Sequence, residues 1–442
     1  MIGFGWVVLT GEFLNEAGTL GAALAFVIGG TVVALVGLTY AELVSAMPKA
    51  GGEHNYVLRA MGSRPAFVTS WALTLGYITV VAFEAVALPT TLLHLFPDML
   101  AGRLWSVADS DVYATWAAVG MAGAVVMTFL NYIGVRPSAI FQSIAVLFLA
   151  VVGVMLITGS FVGGDTGNME PLFTGGTAGV ITVLVATPFL FVGFDVIPQS
   201  AEEINLPQRM MGKLLIVSVL LAVVWYATIM VTVGSAVPAD VLAESGLASA
   251  DGMSALWSSD AMGDVLVVGG VAGILTSWNG FLIGASRLMF AMGHSGMLPS
   301  WFGRLHPRYR TPGNALLLIG GLSLLAPLFG SETLGWLVNA GGLNIIVAFF
   351  MVALSFVVLR RREPEMERPF EVPGGTPVGV VAAVLSIGLA VLYLPGMQAA
   401  LAWPYEWVIV GLWWALGLVF VLRVPSVPPG PDAEREIRTA RA

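Results

Sequence analysis

The chain has 442 residues, of which 57% are hydrophobic and only 10% charged, with a mean hydropathy of +0.88. An ordinary soluble domain is about 25% charged, so a soluble enzyme and a nucleic-acid-binding protein are excluded and a polytopic membrane protein is implied. The net charge of −8 acquires meaning only once the charges are placed on two sides, and the absence of cysteine rules out disulfides, thiolate metal sites and thiol nucleophiles.

Residues 1–14, MIGFGWVVLTGEFL, read as the second half of a helix that begins at a glycine-rich break. They carry no basic n-region, so no cleavable signal peptide is expected. No apolar half-helix precedes them: either the chain begins inside a membrane span or its true start lies upstream. Eleven apolar segments follow, near 20–46, 66–96, 113–134, 138–160, 177–200, 212–236, 264–292, 314–330, 333–359, 377–395 and 404–423. Each reaches the length of roughly 17 residues or more that a bilayer requires. The segment after Val424, rich in Pro, Asp, Glu and Arg, reads as a disordered tail.

One of these spans departs from a simple apolar helix. In ATPFLFVGFDVIPQSAEEINLP, residues 186–207, Pro188 removes a backbone donor, Gly193 weakens the turn and Asp195 sets a carboxylate among phenylalanines. Within a bilayer an interrupted helix survives only where it lines a cavity or a ligand. An ionisable group at that depth is expensive and points to function. Glu84, in GYITVVAFEAVALP, poses the same question near the middle of a span of some thirty residues; it could carry a proton or attract a cationic solute.

Basic residues set the orientation. Lys49, Arg59, Arg64, Arg136, Arg209, Lys213, Arg287, Arg304, Arg308 and Arg310 fall in alternate loops or at their helix ends, as do Arg360, Arg361, Arg362, Arg368, Arg423, Arg435, Arg438 and Arg441. That places 18 of the 19 on one side and Arg103 on the other. The basic side is expected to be cytoplasmic, with the C-terminus on it. The opposite loop 237–263 carries Asp240, Glu244, Asp251 and Asp260 and no basic residue.

Shifting the chain by 190 residues superposes Gly3 on Gly193, Phe4 on Phe194, Glu12 on Glu202 and Asn15 on Asn205. The matched segments are the two interrupted ones, and five spans separate them. An odd number gives the two halves opposite topology, the pattern of transporters built on inverted repeats.

With Gly3-Phe4-Gly5 at the first break, the chain resembles the amino acid–polyamine–organocation superfamily. Further matches are Tyr40-Ala41-Glu42-Leu43 with Met47 to Gly52, Phe191 to Asp195 with Ala201-Glu202-Glu203, Ser286 to Met292, and Arg368 to Gly374. The resemblance implies an all-α polytopic membrane protein of the leucine-transporter-type fold, a five-plus-five inverted repeat whose first half-helix is missing here. Residues 1–160 would form the first repeat (helices 1b to 5) and 177–360 the second (helices 6 to 10). Residues 361–424 would hold helices 11 and 12 after a cytoplasmic loop, and 425–442 the disordered cytoplasmic tail. Two departures stand out. Phe4 replaces the usual serine, so no hydroxyl is offered to a carboxylate there, and 138–160 lacks the lysine that fills a sodium position in several proton-coupled relatives.

By that resemblance Gly3, Phe4 and Gly5 supply N–H groups to a substrate, while Phe189, Phe191, Val192 and Gly193 supply carbonyls or line the pocket. Broken-helix ends suit the two charged groups of an amino acid. Trp278 resembles an aromatic that caps the substrate in some relatives. Asp195 and Glu84 are candidates for coupling or gating. Glu12 would sit at the outer mouth or face solvent at a helix end, and Glu202 and Glu203 at a gate-stabilising ion-pair site with Arg209 or Arg287 as partner. Thr276 and Ser277 fall where related folds place hydroxyls on sodium. The four histidines show no ligand spacing, so neither a metal nor a cofactor is expected beyond a coupling proton or sodium ion. The expected function is secondary transport, not enzymatic catalysis. Amino acids or related small amines would cross the plasma or inner membrane by alternating access, in symport, antiport or exchange. Transport of a polyamine or other organic amine, and nutrient sensing on a transporter-like scaffold, are the alternatives; the exact solute, coupling ion and oligomer stay open.

Overall fold

The computed structural model describes residues 1–108, 110–134 and 136–439, and Arg441, used above for orientation, lies outside them. The chain opens with irregular residues 1–4, then α1 (Gly5–Val8) and α2 (Thr10–Ala17), the long α3 (Thr19–Ala46), the short α4 (Glu53–Met61) and α5 (Ser63–Leu95). An antiparallel hairpin, β1 (Arg103–Val107) and β2 (Ser110–Tyr113), follows and qualifies the all-α expectation. Ser106 lies opposite Asp111 in it, and the Ser106 hydroxyl, with Arg103, holds the Asp111 carboxyl below its ordinary value.

Then come α6 (Ala114–Ile133), α7 (Arg136–Gly163), α8 (Gly176–Phe191), the four-residue α9 (Val196–Gln199) and α10 (Gln208–Gly234). Two short helices, α11 (Ala239–Glu244) and α12 (Ala248–Trp257), occupy the acidic loop before α13 (Asp260–His294). The remainder is α14 (Gly313–Leu325), α15 (Thr333–Arg362), α16 (Thr376–Val391), α17 (Tyr405–Val421) and α18 (Ala433–Thr439). Among the described residues eight helices are long and apolar enough to cross a membrane, and three shorter apolar ones cover 313–329, 376–391 and 405–421. Together they account for the eleven segments read from the sequence.

The interruption expected near Gly193 is present. α8 ends at Phe191, with Val192 N–H donating to Pro188 O at 3.0 Å, and the helix resumes only at Val196. Gly193 has φ +122°, a conformation that side chains rarely adopt, and a Cβ there would lie 2.7 Å from the Met1 backbone nitrogen. Glycine is therefore required twice over, by dihedral and by close approach. Both interrupted segments meet in the middle of the bundle, between α5, α10 and α13.

The basic-loop side is closed by polar contacts. Glu42, at the end of α3 and 1% exposed, accepts from Arg360 Nε at 2.9 Å, pairs with Arg368 Nε at 3.1 Å and accepts from Val372 N–H at 2.8 Å. Arg59 pairs with Glu363 through two nitrogens. The tail read as disordered is instead packed over 425–439. Ser63 Oγ donates to Pro425 O at 2.6 Å and accepts from Val427 N–H at 3.0 Å, Glu434 pairs with Lys49, and Ala433 and Ile437 are buried. Its polar composition concealed apolar residues at 424, 427, 433 and 437, all of which find cover.

His54 on α4 lies between two serines, with Nδ1 3.2 Å from Ser70 Oγ and Nε2 2.8 Å from Ser295 Oγ. Burial lowers its pKa from 6.5 to about 4, against a weaker opposing pull from Glu434. The fold thus favours the neutral ring: the contribution is complete above pH 6.5 and is lost as pH falls toward 4, on the order of 3 kcal/mol in all. The midpoint of thermal unfolding in detergent should therefore drop between pH 7 and pH 5, and His54→Gln, which cannot titrate, should flatten the drop. Parallel curves for the two proteins would exclude His54 as the cause.

Candidate functional site

The two interruptions close around a cavity of about 30 Å³. By that measure a water molecule needs roughly 10–15 Å³, so there is room for a couple of waters and not for an amino acid. Gly3, Phe4 and Gly5 line it from the first break, and Phe189, Leu190 and Val192 from the second. α5 contributes Val80, Phe83 and Glu84, α10 contributes Tyr226, and α13 contributes Ser277 and Phe281. In this conformation the site is collapsed, and any solute must part these walls. A far larger recess, about 920 Å³, lies elsewhere, on the apolar outer face between α5, α14, α15 and α17. It has almost no polar group to orient a solute, so the small central cavity is the better candidate despite its size.

The polar groups of the cavity converge. Glu84, 2% exposed, is hydrogen-bonded to Ser277, while its Oε2 has no protein partner. A Cβ at Gly3 would lie 3.0 Å from Ser277 Oγ and 3.9 Å from Glu84 Oε1. The first break therefore rests directly on this Ser–Glu pair. Tyr226 OH donates toward Met1 O at 3.2 Å and Leu190 O at 3.4 Å, tying the carbonyls of both breaks together. Gly5 packs closely on Leu190: a Cβ there would collide with Leu190 Cδ2, so any side chain would require that methyl to move. The Ser249 hydroxyl reaches down to Val7 O at 2.6 Å and fixes α1 from the acidic-loop side.

Asp195 stands just behind this cavity and is fully buried. Its carboxylate accepts from Gly193 N–H at 2.6 Å and from Tyr77 OH at 2.9 Å. It therefore caps the freed backbone of the break and is held by α5 at the same time. No cationic side chain pairs with it among the described residues.

Other expected site residues lie elsewhere. Phe191 points away from the cavity and packs edge-on against Phe26 and Tyr226. Trp278 turns to the opposite side of α13 and covers Gly123. Thr276 and Ser277 do not converge: the Thr276 hydroxyl donates to Gly273 O in its own helix, and only Ser277 faces the cavity. Consecutive helical positions differ by about 100°, so one of any such pair must turn away. Where the missing lysine was noted, Leu149 packs beside Gly273 and the Gly3 carbonyl. Glu12 is exposed on α2, and Glu202 is exposed next to Glu203. Glu203 pairs with Arg287, Nε to Oε1 at 2.7 Å and Nη2 to Oε2 at 2.6 Å. Of Arg209 and Arg287, it is Arg287 that pairs with Glu203.

Sequence reasoning did not single out Tyr77, Tyr226 and Phe281. A signal for the last was present: Gly270, Gly273, Ser277, Phe281 and Gly284 recur at helical spacing. They meet Phe4, the Gly3 carbonyl, the cavity and Val196 in turn.

A multi-pass helical membrane protein whose two interrupted helices meet at a small cavity with a buried Glu–Ser pair on its wall has the form of a membrane permease. A family model described as amino acid permease matches residues 1–433, and the chain belongs to that family, within the amino acid–polyamine–organocation superfamily. It is 28% identical over 431 residues to the branched-chain amino acid permease BcaP of Bacillus subtilis (strain 168), covering 93% of this chain and 88% of that one. To the methylthioribose transporter of the same organism it is 29% identical, covering 96% and 90%. To cationic amino acid transporter 4 of Mus musculus it is 30% identical over 381 residues, covering 81% of this chain and 57% of that one.

Proposed function

We propose that this chain is a secondary active transporter of amino acids or closely related small amines, working by alternating access in the plasma or inner membrane. The observation that carries the reading is the meeting of both interrupted segments at one buried cavity, with Glu84 and Ser277 on its wall. A broken helix inside a bilayer needs such a cavity to satisfy its freed backbone groups. The N–H groups at Gly3 to Gly5 suit a carboxylate, Glu84 suits the ammonium, and Phe83, Phe189 and Phe281 suit an apolar side chain. The frame is an inverted repeat of residues 1–160 and 177–360, followed by two further helices over 361–424, with the basic-loop side and C-terminus in the cytoplasm. An ion gradient, of protons or sodium, or exchange of solutes drives the cycle, with Asp195 as the coupling or gating acid.

A second reading, an organic amine lacking a carboxylate, draws on the free Glu84 oxygen and on Phe4 where relatives offer a hydroxyl. Counterflow in proteoliposomes tests both. Labelled amino acid should accumulate against trapped unlabelled amino acid, and a thermal-shift panel should rank amino acids above diamines. The reverse ranking would favour the amine. Binding without counterflow would identify a sensor rather than a transporter.

A further inference from the structure

Beneath Asp195, toward the basic-loop side, lies a second buried carboxyl that the cavity does not use. Glu53 begins α4 and is 0% exposed. Its Oε2 accepts a hydrogen bond from Gln199 Nε2 on α9, and the Tyr40 hydroxyl of α3 is the other hydrogen-bonding group beside the carboxyl. No ion pair among the described residues includes it. The groups that face it are the Tyr40 hydroxyl from α3, the Tyr56 hydroxyl from its own helix, the Tyr77 hydroxyl from α5, the Gln199 amide and the Asp195 carboxyl. None is cationic. The hydroxyl of Tyr56 and the Gln199 carbonyl oxygen are buried and unpartnered.

A buried carboxyl without a counter-charge resolves its desolvation penalty by keeping a proton. Burial, reinforced by the charge of Asp195, pushes the Glu53 carboxyl well above the ordinary range. Its surroundings are also a seam. Gly51 N–H donates to Gln199 O at 3.4 Å, and a Cβ at Gly52 would strike Pro198 at 2.6 Å. The start of α4 is thus pressed against α9, the piece of interrupted helix that leads from Asp195 to the basic-loop side.

We propose that Glu53 is a proton-binding group at this seam, protonated while α4 and α9 are in contact and ionised when they part. The proposal rests on the transport reading for its direction. Opening toward the cytoplasm wets Glu53, the Glu53 O–H bond breaks, and the proton passes to a cytoplasmic water. On reclosure the Glu53 carboxylate takes a proton from the Asp195 side of the seam, so each cycle carries one proton toward the cytoplasm. Tyr40 and Tyr77, which flank both carboxyls, sit where they can relay hydrogen bonding between Glu53 and Asp195.

Infrared titration of the purified protein in lipid nanodiscs, followed by transport, tests this. The wild type should show a protonated-carboxyl band that persists at neutral pH, and Glu53→Gln should remove one such band. Gln199→Met deletes the donor to the carboxylate and should move the titration of that band to higher pH, a readout that does not depend on the first variant folding well. In proteoliposomes Glu53→Gln should lose uptake driven by a pH gradient while retaining counterflow. A band unchanged in Glu53→Gln, or unmoved in Gln199→Met, overturns the proton site, and intact gradient-driven uptake in Glu53→Gln overturns its coupling role. Absence of counterflow in the wild type would instead defeat the transport reading, and the infrared result would still decide whether Glu53 binds the proton.

Discussion

Asp195→Asn is expected to abolish or uncouple gradient-driven uptake in proteoliposomes while leaving the protein folded. The substitution preserves shape and removes only the charge and the capacity to titrate. Asparagine offers a single carbonyl oxygen where Asp195 now accepts from two donors, Gly193 N–H at 2.6 Å and Tyr77 OH at 2.9 Å. One donor loses its acceptor, at a local cost of about 1–3 kcal/mol. That loosens the break without opening the bundle, whose packing lies elsewhere. Tyr77→Phe separates the two effects, since it removes one hydrogen bond and leaves the carboxylate able to titrate. It should weaken transport far less than Asp195→Asn does. Undiminished, still coupled uptake in Asp195→Asn would remove Asp195 from the mechanism and leave it as a structural cap of the interrupted helix.

The spans and both interruptions were legible because they are local properties. Continuous apolarity marks a span, and Pro188, Gly193 and Asp195 in one short stretch mark a break whatever surrounds it. Helix phase was harder to read. Both Trp278 and Ser277 are candidates in the sequence; which of the two neighbours faces the cavity is a matter of phase, and only the stripe from Gly270 to Gly284 settles that. Phe191 misled in the same way, being adjacent to two residues that do line the cavity. Glu53 escaped notice because GGEH opens a short amphipathic helix that reads as solvent-facing in isolation; its burial depends on α9, some 145 residues later. The tail was hidden by composition, since four well-placed apolar residues suffice to dock a polar segment onto α4 and the start of α5.

A contact between segments far apart in the sequence should carry one of the largest energies. Glu42 and Arg360 lie 318 residues apart, yet Glu42→Ala is expected to destabilise the protein by about 3 kcal/mol, the lower end of the range for stripping one partner from a buried ion pair. The low end applies because the Arg360 side chain keeps 20% exposure, whereas Glu42 is at 1%. The two arginines should not suffer equally. Arg368 also donates to the carbonyls of Met366 at 2.8 Å and Glu363 at 2.9 Å, so it retains acceptors when the carboxylate is gone. Arg360 retains mainly the face of Phe356, 5.0 Å away. Most of the loss should therefore appear as an orphaned Arg360, and Arg360→Met on the Glu42→Ala background should recover part of it. A double-mutant cycle read by thermal stability in detergent measures that coupling. The same contact joins the end of α3 to the end of α15 and to the loop carrying Val372. A variant that folds at low temperature should consequently also leak on the basic-loop side, seen as faster labelling of a single cysteine placed at Ala46 in this otherwise cysteine-free chain. Equal stability of Glu42→Ala and wild type would show that water replaces the carboxylate at no cost and that the seal lies in the apolar packing alone.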